Sequence, residues 1–343
     1  MNHTMKSVNF TTLKGRALAI SQLGFGGAPL GNLYHARTEE EAQQTLQAAW
    51  DSGIRYFDTA PQYGHGLSEM RMGNFFAQKP RDEFVISSKI GRLLIPCEPG
   101  EQNAGAFQDV PANRIEYDYS YDGVMRSYEQ SLQRLKLDRI DILYIHDVDV
   151  FTHGSQAASD KRVDEVMNGG YRALCELRDN GDIDAIGVGV NEWQVCEKLL
   201  GLGEFDLFLL AGRYTLLEQE SLKSFLPKCL ARGSGIILGG PYNSGILATG
   251  AIDNAMYNYE LASDEIKQQV NAIEAVCIEH GVTLPQAALH FPLGHPSVVS
   301  VIPGGQLASE VIRNVNTFAK PVPSEFWQAL KSQGLIDHDA PLP

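Results

Sequence analysis

The stretch FDTAPQYG, residues 57 to 64, decides how this chain is read: a short apolar run leads into an acid, and five positions later comes a tyrosine. Two later stretches have the same form. ISSKIGR (86 to 92) sets Lys89 behind an apolar run, and IDILYIHD (140 to 147) sets His146 there. In a barrel of parallel strands the C-terminal strand ends converge on one face, so residues far apart in sequence meet there. Asp58, Tyr63, Lys89 and His146 would then share one pocket.

Working outward, GFGG (24 to 27) ends a first strand, and apolar runs ending near Asp58, Lys89, His146, Val190, Gly212, Gly239 and Ile302 supply seven more. Most are separated by helical patterns. Thr38 and Glu41 form a capping-box signature for a helix over 38 to 53, whose Ala42, Leu46, Ala49 and Trp50 share a face. Val124, Tyr128, Leu132 and Leu135 mark another helix. Strands that are apolar throughout rather than alternating suit a parallel sheet covered on its outer face. The economical closure is an α/β fold of the (β/α)8 TIM barrel type. The expected layout is one domain over 1 to 343, with an N-terminal hairpin at about 8 to 23 around Lys14-Gly15 and a C-terminal helical tail at about 320 to 343. Residues 91 to 120 read as a surface loop, and 241 to 297 as a loop plus at least one helix, 263 to 280. Both fall on the face where long loops shape a pocket.

With 343 residues and 43% hydrophobic content, the chain can bury a large core. A formal charge of -14 without a long basic run argues against nucleic acid, which needs clustered Lys and Arg. No run of about 18 apolar residues spans a bilayer and MNHTMKSVNF has no apolar h-region, so a cytoplasmic protein without membrane partners is expected. Cys97, Cys175, Cys196, Cys229 and Cys277 include no close pair, which fits reduced thiols rather than a disulfide framework or a metal site.

Tyrosine ionises near about pH 10, so acid–base work at neutral pH needs help. A nearby Lys89 ammonium would favour the phenolate, Asp58 would keep Lys89 charged, and His146 would orient a carbonyl or hydroxyl oxygen beside Tyr63. Each residue alone has an ordinary explanation. Asp58 could cap a loop, Tyr63 could be a wall residue, Lys89 could be solvated and His146 could be a satisfied core imidazole. Three of the four, however, end apolar strands, which the ordinary explanations do not account for together.

FDTAPQYG, SSKIGR and LYIHD resemble the aldo-keto reductases, from about residue 18 to about 318. The resemblance implies a tetrad of Asp58, Tyr63, Lys89 and His146 that moves a proton while a nicotinamide cofactor moves hydride. It also implies cofactor contacts. Asn191 in IGVGVN holds the carboxamide, although Val190 stands where the family usually has Ser, and Tyr214 in GRYTLL stacks on the nicotinamide. Gly26 and Gly27 border the cofactor. Gly240, Asn243, Ser244 and Gly245 fold over the pyrophosphate. Gly304, Gly305 and Gln306 follow the last strand, and the next helix points its N-terminus at the phosphates while Glu310 and Asn314 meet the adenine edge.

GGAPLGNLY and GRYTLL look most like the aldose 1-dehydrogenases (L-fucose, D-threo-aldose and L-galactose dehydrogenases) and the pyridoxal dehydrogenases. The implied reaction is NAD(P)-dependent oxidation of a sugar or carbonyl hemiacetal to a lactone, with NAD preferred and NADP possible, because Gly305, Gln306 and Leu307 offer no cation to a 2′-phosphate. Two other readings use the same barrel: a nucleotide-binding regulatory module with little turnover, and a Schiff-base aldolase with Lys89 as nucleophile. Oligomeric state is not legible in the sequence.

Overall fold

The computed structural model describes residues 5–343. Eight strands form one sheet in the order Val298–Ile302, Gly235–Gly239, Leu207–Ala211, Ala185–Val190, Ile142–His146, Val85–Ile90, Tyr56–Asp58 and Phe25–Gly26. Every pairing within it is parallel. The two edges then meet through parallel bridges from Leu23 to Val301 and from Gly26 to Gly304. The result is the expected barrel.

The continuous apolar runs have a direct cause, since each strand buries both faces. Inward-facing Tyr56, Val85, Ile142, Tyr144, Leu207, Ile237 and Val299 pack in one cluster. Outward-facing Phe57, Ile86, Leu143, Ile145, Ile186 and Phe208 pack in another with the surrounding helices. The N-terminal strands Ser7–Thr11 and Ala17–Ser21 form the expected antiparallel hairpin. Its Leu18 and Ile20 complete the inner cluster, with Val8 and Phe10 packed beside them, so the hairpin plugs the end of the barrel opposite the strand C-termini.

Local signals hold where the chemistry is local. Helix Glu39–Asp51 carries a full capping box between Thr38 and Glu41. Helix Tyr121–Leu135 buries Val124, Tyr128 and Leu135. Beyond residue 320 the tail contains the helix Ser324–Ser332, docked by Phe326, Trp327 and Leu330. Among the described residues no helix is long and apolar enough to cross a membrane. All five cysteines are free, three of them buried.

The long intervals hold more structure than expected. Arg92–Pro96 and Asn113–Tyr117 pair as an antiparallel hairpin rather than lying as a bare loop. The signal was weak because Leu93 and Leu94 are its only well-buried apolar residues. The interval 241–297 contains a two-residue hairpin, Met256–Tyr257 with Glu260–Leu261, and helices Ile246–Thr249, Asp264–Glu279 and Leu284–His290.

Because Ile20 is fully buried inside the barrel end, Ile20→Ala is expected to cost about 2 to 5 kcal/mol of stability in urea unfolding. A loss below about 1 kcal/mol would mean that the hairpin is not part of the cooperative core.

Candidate active site

Strand register brings the expected residues together. Asp58 pairs with Ser87, Lys89 with Tyr144, and His146 with Gly189, so their side chains enter the barrel mouth at neighbouring heights. Lys89 Nζ lies 2.7 Å from Asp58 Oδ2 and donates to the Thr59 carbonyl at 2.9 Å. Lys89 and Asp58 are 1% and 2% exposed, which makes this a desolvated ion pair. Gly189 keeps the path open, since a Cβ there would stand 3.3 Å from Lys89 Cε.

Tyr63 reaches the pair from the loop after Asp58. Its ring centroid lies 4.7 Å from Lys89 Nζ and 6.0 Å from that of His146, nearly edge-on. The loop is pinned by a backbone contact that only glycine allows. Gly64 has φ +63°, and a Cβ there would fall 2.3 Å from the Gly31 carbonyl oxygen.

The expected effect of Lys89 on Tyr63 does not appear. Burial pushes the Tyr63 phenol well above its ordinary value, and the carboxylates of Asp58 and Asp147 push the same way. Lys89 is already committed to Asp58 and Thr59, so its charge is largely cancelled where the phenol feels it. Burial drives His146 well below the usual imidazole range, with Arg92 and Lys89 adding to the shift. At neutral pH the site therefore holds a neutral phenol and a neutral imidazole beside the Lys89–Asp58 pair.

Sequence reasoning missed part of this constellation. Ser87 Oγ donates to Asp58 Oδ1 at 2.8 Å, and the Tyr56 hydroxyl lies 3.1 Å from both Ser87 Oγ and the Tyr144 hydroxyl, a buried chain of hydroxyls under the acid. Arg92 and Asp147 form a second buried pair at 2.5 Å. This second pair was hidden in the sequence, because no spacing links a hairpin arginine to the residue after a strand.

Two cavities meet at Tyr63. One, of about 380 Å³, is lined by Tyr63, Lys89, His146, Arg92, Asp147, Phe107, Tyr117, Phe151, Asn191 and Tyr259. The other is a groove of about 480 Å³. Gly26, Gly27, Gly240, Asn243, Ser244, Gly245, Gly304, Gly305, Gln306 and Glu310 line it. The groove suits a dinucleotide. Asn243, Ser244 and Gly245 run consecutively at positive φ, and nothing stands within 4 Å of where a Gly245 Cβ would be, so bare backbone faces the space.

Two cofactor expectations need correction. Tyr214 is fully buried and packs against Phe291 and His295, so it cannot stack in the groove. The left-handed Gly212 turns the chain so that the tyrosine enters the outer core. Asn314 is not on the groove wall and instead accepts from the Tyr242 hydroxyl at 2.9 Å. Glu310 borders the groove, and its Oε2 accepts the Gln306 and Leu307 amides, capping its own helix. Asn191 borders the smaller cavity, where its Oδ1 accepts from the Tyr259 hydroxyl at 3.3 Å.

Residues 22–334 match the model of the Aldo/keto reductase family. The chain is 40% identical to a pyridoxal 4-dehydrogenase of Microbacterium luteolum over 97% of this chain and 99% of that protein. It is also 40% identical to a D-threo-aldose 1-dehydrogenase of a Pseudomonas species over 93% and 95%. Its fold superposes on the holo form of an aldo-keto reductase from Bacillus halodurans with a TM-score of 0.73 at 23% identity, covering 99% of this chain and 98% of that one.

Removing one member of a buried pair leaves a bare charge. Asp58→Asn is expected to destabilise the fold by about 3 to 5 kcal/mol, and Asp58→Asn with Lys89→Met to regain at least about half of that, measured by chemical unfolding. Equal losses in the single and double variants would show that the pair is not the coupled unit its geometry implies.

Proposed function

The chain belongs to the aldo/keto reductase family and is an NAD(P)-dependent oxidoreductase, and from that premise we propose that it oxidises the hemiacetal of an aldose or of pyridoxal to a lactone, using NAD+, as a cytoplasmic enzyme of one domain. The observation that carries this reading is Tyr63, seated between the buried Lys89–Asp58 pair and His146 where the two cavities join. The near full-length relatives at 40% identity supply the substrate classes.

A bound nicotinamide supplies the hydride acceptor. The protein's own part is to take the hydroxyl proton and to hold the oxygen. Tyr63 is the proton acceptor and His146, as a neutral imidazole, a hydrogen-bond partner for the same oxygen. Lys89 is unsuited to a Schiff base, since its Nζ is bound at 2.7 Å to Asp58 and at 2.9 Å to Thr59. The groove residues Gly240, Asn243, Ser244, Gly245, Gly304, Gly305 and Gln306 would hold the dinucleotide, with Asn191 at its nicotinamide end. Glu310 favours NAD over NADP, because a 2′-phosphate near that carboxylate would meet like charge. The Gln306 side chain is tied to the carbonyls of Leu33 and His35, closing the groove rim without adding charge.

The direct test is a set of initial rates on aldoses and pyridoxal with NAD+ and NADP+ in parallel. Tyr63→Phe should lower turnover by about 10² to 10⁴ while nicotinamide binding, followed by fluorescence quenching, stays within about twofold. Retention of a tenth of the wild-type rate would remove Tyr63 from the proton step. Gln306→Arg should raise NADP+ use relative to NAD+ by at least about tenfold, a guanidinium being the usual partner of a phosphate.

The pH profile has a definite sign. A phenol whose ionisation is pushed up stays protonated at neutral pH, so the oxidation rate should climb through an alkaline limb above about pH 10. Reduction, which needs the protonated form, should be flat from about pH 7 to 9. A limb in oxidation below about pH 9 that Tyr63→Phe abolishes would mean that the phenol is acidified instead.

A further inference from the structure

Arg92 and Asp147 line the smaller cavity, and the proton transfer assigned to Tyr63 and His146 makes no use of them. Arg92 opens the hairpin strand Arg92–Pro96, and Asp147 follows the strand that ends in His146. Asp147 sits in the left-handed region at φ +48°, which aspartate adopts more readily than most non-glycine residues but still uncommonly. Three contacts hold it there: its amide donates to the Gly189 carbonyl at 3.0 Å, and its own carbonyl accepts from the Tyr119 hydroxyl at 3.1 Å and faces His153 Nε2 at 3.0 Å. A backbone held this way marks a position set by its surroundings rather than by local preference.

The pair is only half used. Asp147 Oδ2 takes Arg92 Nη2 at 2.5 Å and has His146 Nε2 at 3.3 Å, while Oδ1 accepts from nothing among the described residues. Arg92 is 4% exposed, and its Nε is buried without a partner. Its Nη1 likewise donates to nothing among the described residues. An acceptor and a donor are thus left over on one ion pair, whose residues line a cavity that also carries Phe107, Tyr117 and Phe151. Neighbouring Asp149 is already engaged by the amides of Thr152 and Asn191.

We propose that Arg92 and Asp147 recognise adjacent hydroxyls of a neutral substrate, and that their mutual neutralisation makes the pocket reject anionic substrates such as sugar phosphates. The inference rests on the reading of this cavity as the substrate pocket of an oxidoreductase and deepens it. One hydroxyl donates to the free Asp147 oxygen and its neighbour accepts from the guanidinium, a match that a planar fork makes geometrically selective. Both cations on this wall are matched, Lys89 by Asp58 and Arg92 by Asp147, so a phosphate would enter without a counter-charge.

Three aldehydes of equal carbon number separate the possibilities: glyceraldehyde, propanal and glyceraldehyde 3-phosphate, each reduced with NADH. Wild type should prefer glyceraldehyde to propanal, and to its phosphate, by at least about tenfold in kcat/KM. Asp147→Asn should lower the glyceraldehyde-to-propanal ratio at least about tenfold and, by releasing the Arg92 charge, raise the phosphate-to-glyceraldehyde ratio by a similar factor. Arg92→Gln with Asp147→Asn removes both charges; it should lose the hydroxyl preference without admitting the phosphate, and it tests the idea even if the single variant folds poorly. Ratios within twofold of wild type in both variants, or a uniform fall for all three aldehydes, would overturn the proposal. Wild-type turnover of none of the three would instead overturn the oxidoreductase reading of the pocket on which it rests.

Discussion

The ion pair between Lys89 and Asp58 is the interaction on which the rest of the site depends. An ammonium in the mouth of a barrel is far from bulk water, and its desolvation is offset only if a carboxylate stands at hydrogen-bond distance. Asp58 does so at 2.7 Å. That requirement fixes much else. The strands carrying the two residues must be parallel neighbours in one register, the Thr59 carbonyl must turn inward, and the position facing Lys89 must be Gly189. Beneath, Ser87 donates to the acid, and Tyr56 in turn links Ser87 to Tyr144, so the buried hydroxyls satisfy one another.

The site is thus built from neutral sums. Two ion pairs, Lys89 with Asp58 and Arg92 with Asp147, flank a phenol and an imidazole that burial keeps uncharged. Burial also lifts Asp147 to about 6, with Asp149 adding to the shift and Arg92 opposing it. Although the whole chain carries -14, the barrel mouth does not share that excess. What selects a ligand there is the direction of each donor and acceptor rather than the field of the protein.

The fold was legible because a barrel strand buried on both faces must be apolar throughout, and seven such runs end where strands end. Asp58, Lys89 and His146 were legible for the same reason: an acid, an amine and an imidazole at the end of a greasy run have one place to go, and Tyr63 follows the first of them by five residues. Tyr214 misled because an aromatic after a strand looks the same in sequence whether the chain turns toward the groove or the core, and Gly212 at positive φ sends it to the core. Glu310 and Asn314 share a helix face as spacing implies, but each is engaged by protein groups, Glu310 by amides and Asn314 by Tyr242. Arg92 and Asp147 were illegible, since their pairing depends on a hairpin that alternates too briefly to announce itself.

The barrel's seam has a consequence for its motions. Phe25–Gly26 is the shortest strand of the sheet, and it joins the last strand by isolated bridges rather than a full ladder. Gly26 and Gly304, which make one of those bridges, also line the groove. The least-stitched line of the cylinder therefore runs along the groove proposed for the dinucleotide. A long ligand lying there spans both lips like a clasp, and amide exchange along 23 to 26 and 301 to 304 becomes a gauge of occupancy, slow when the bed is filled and quick when the lips part.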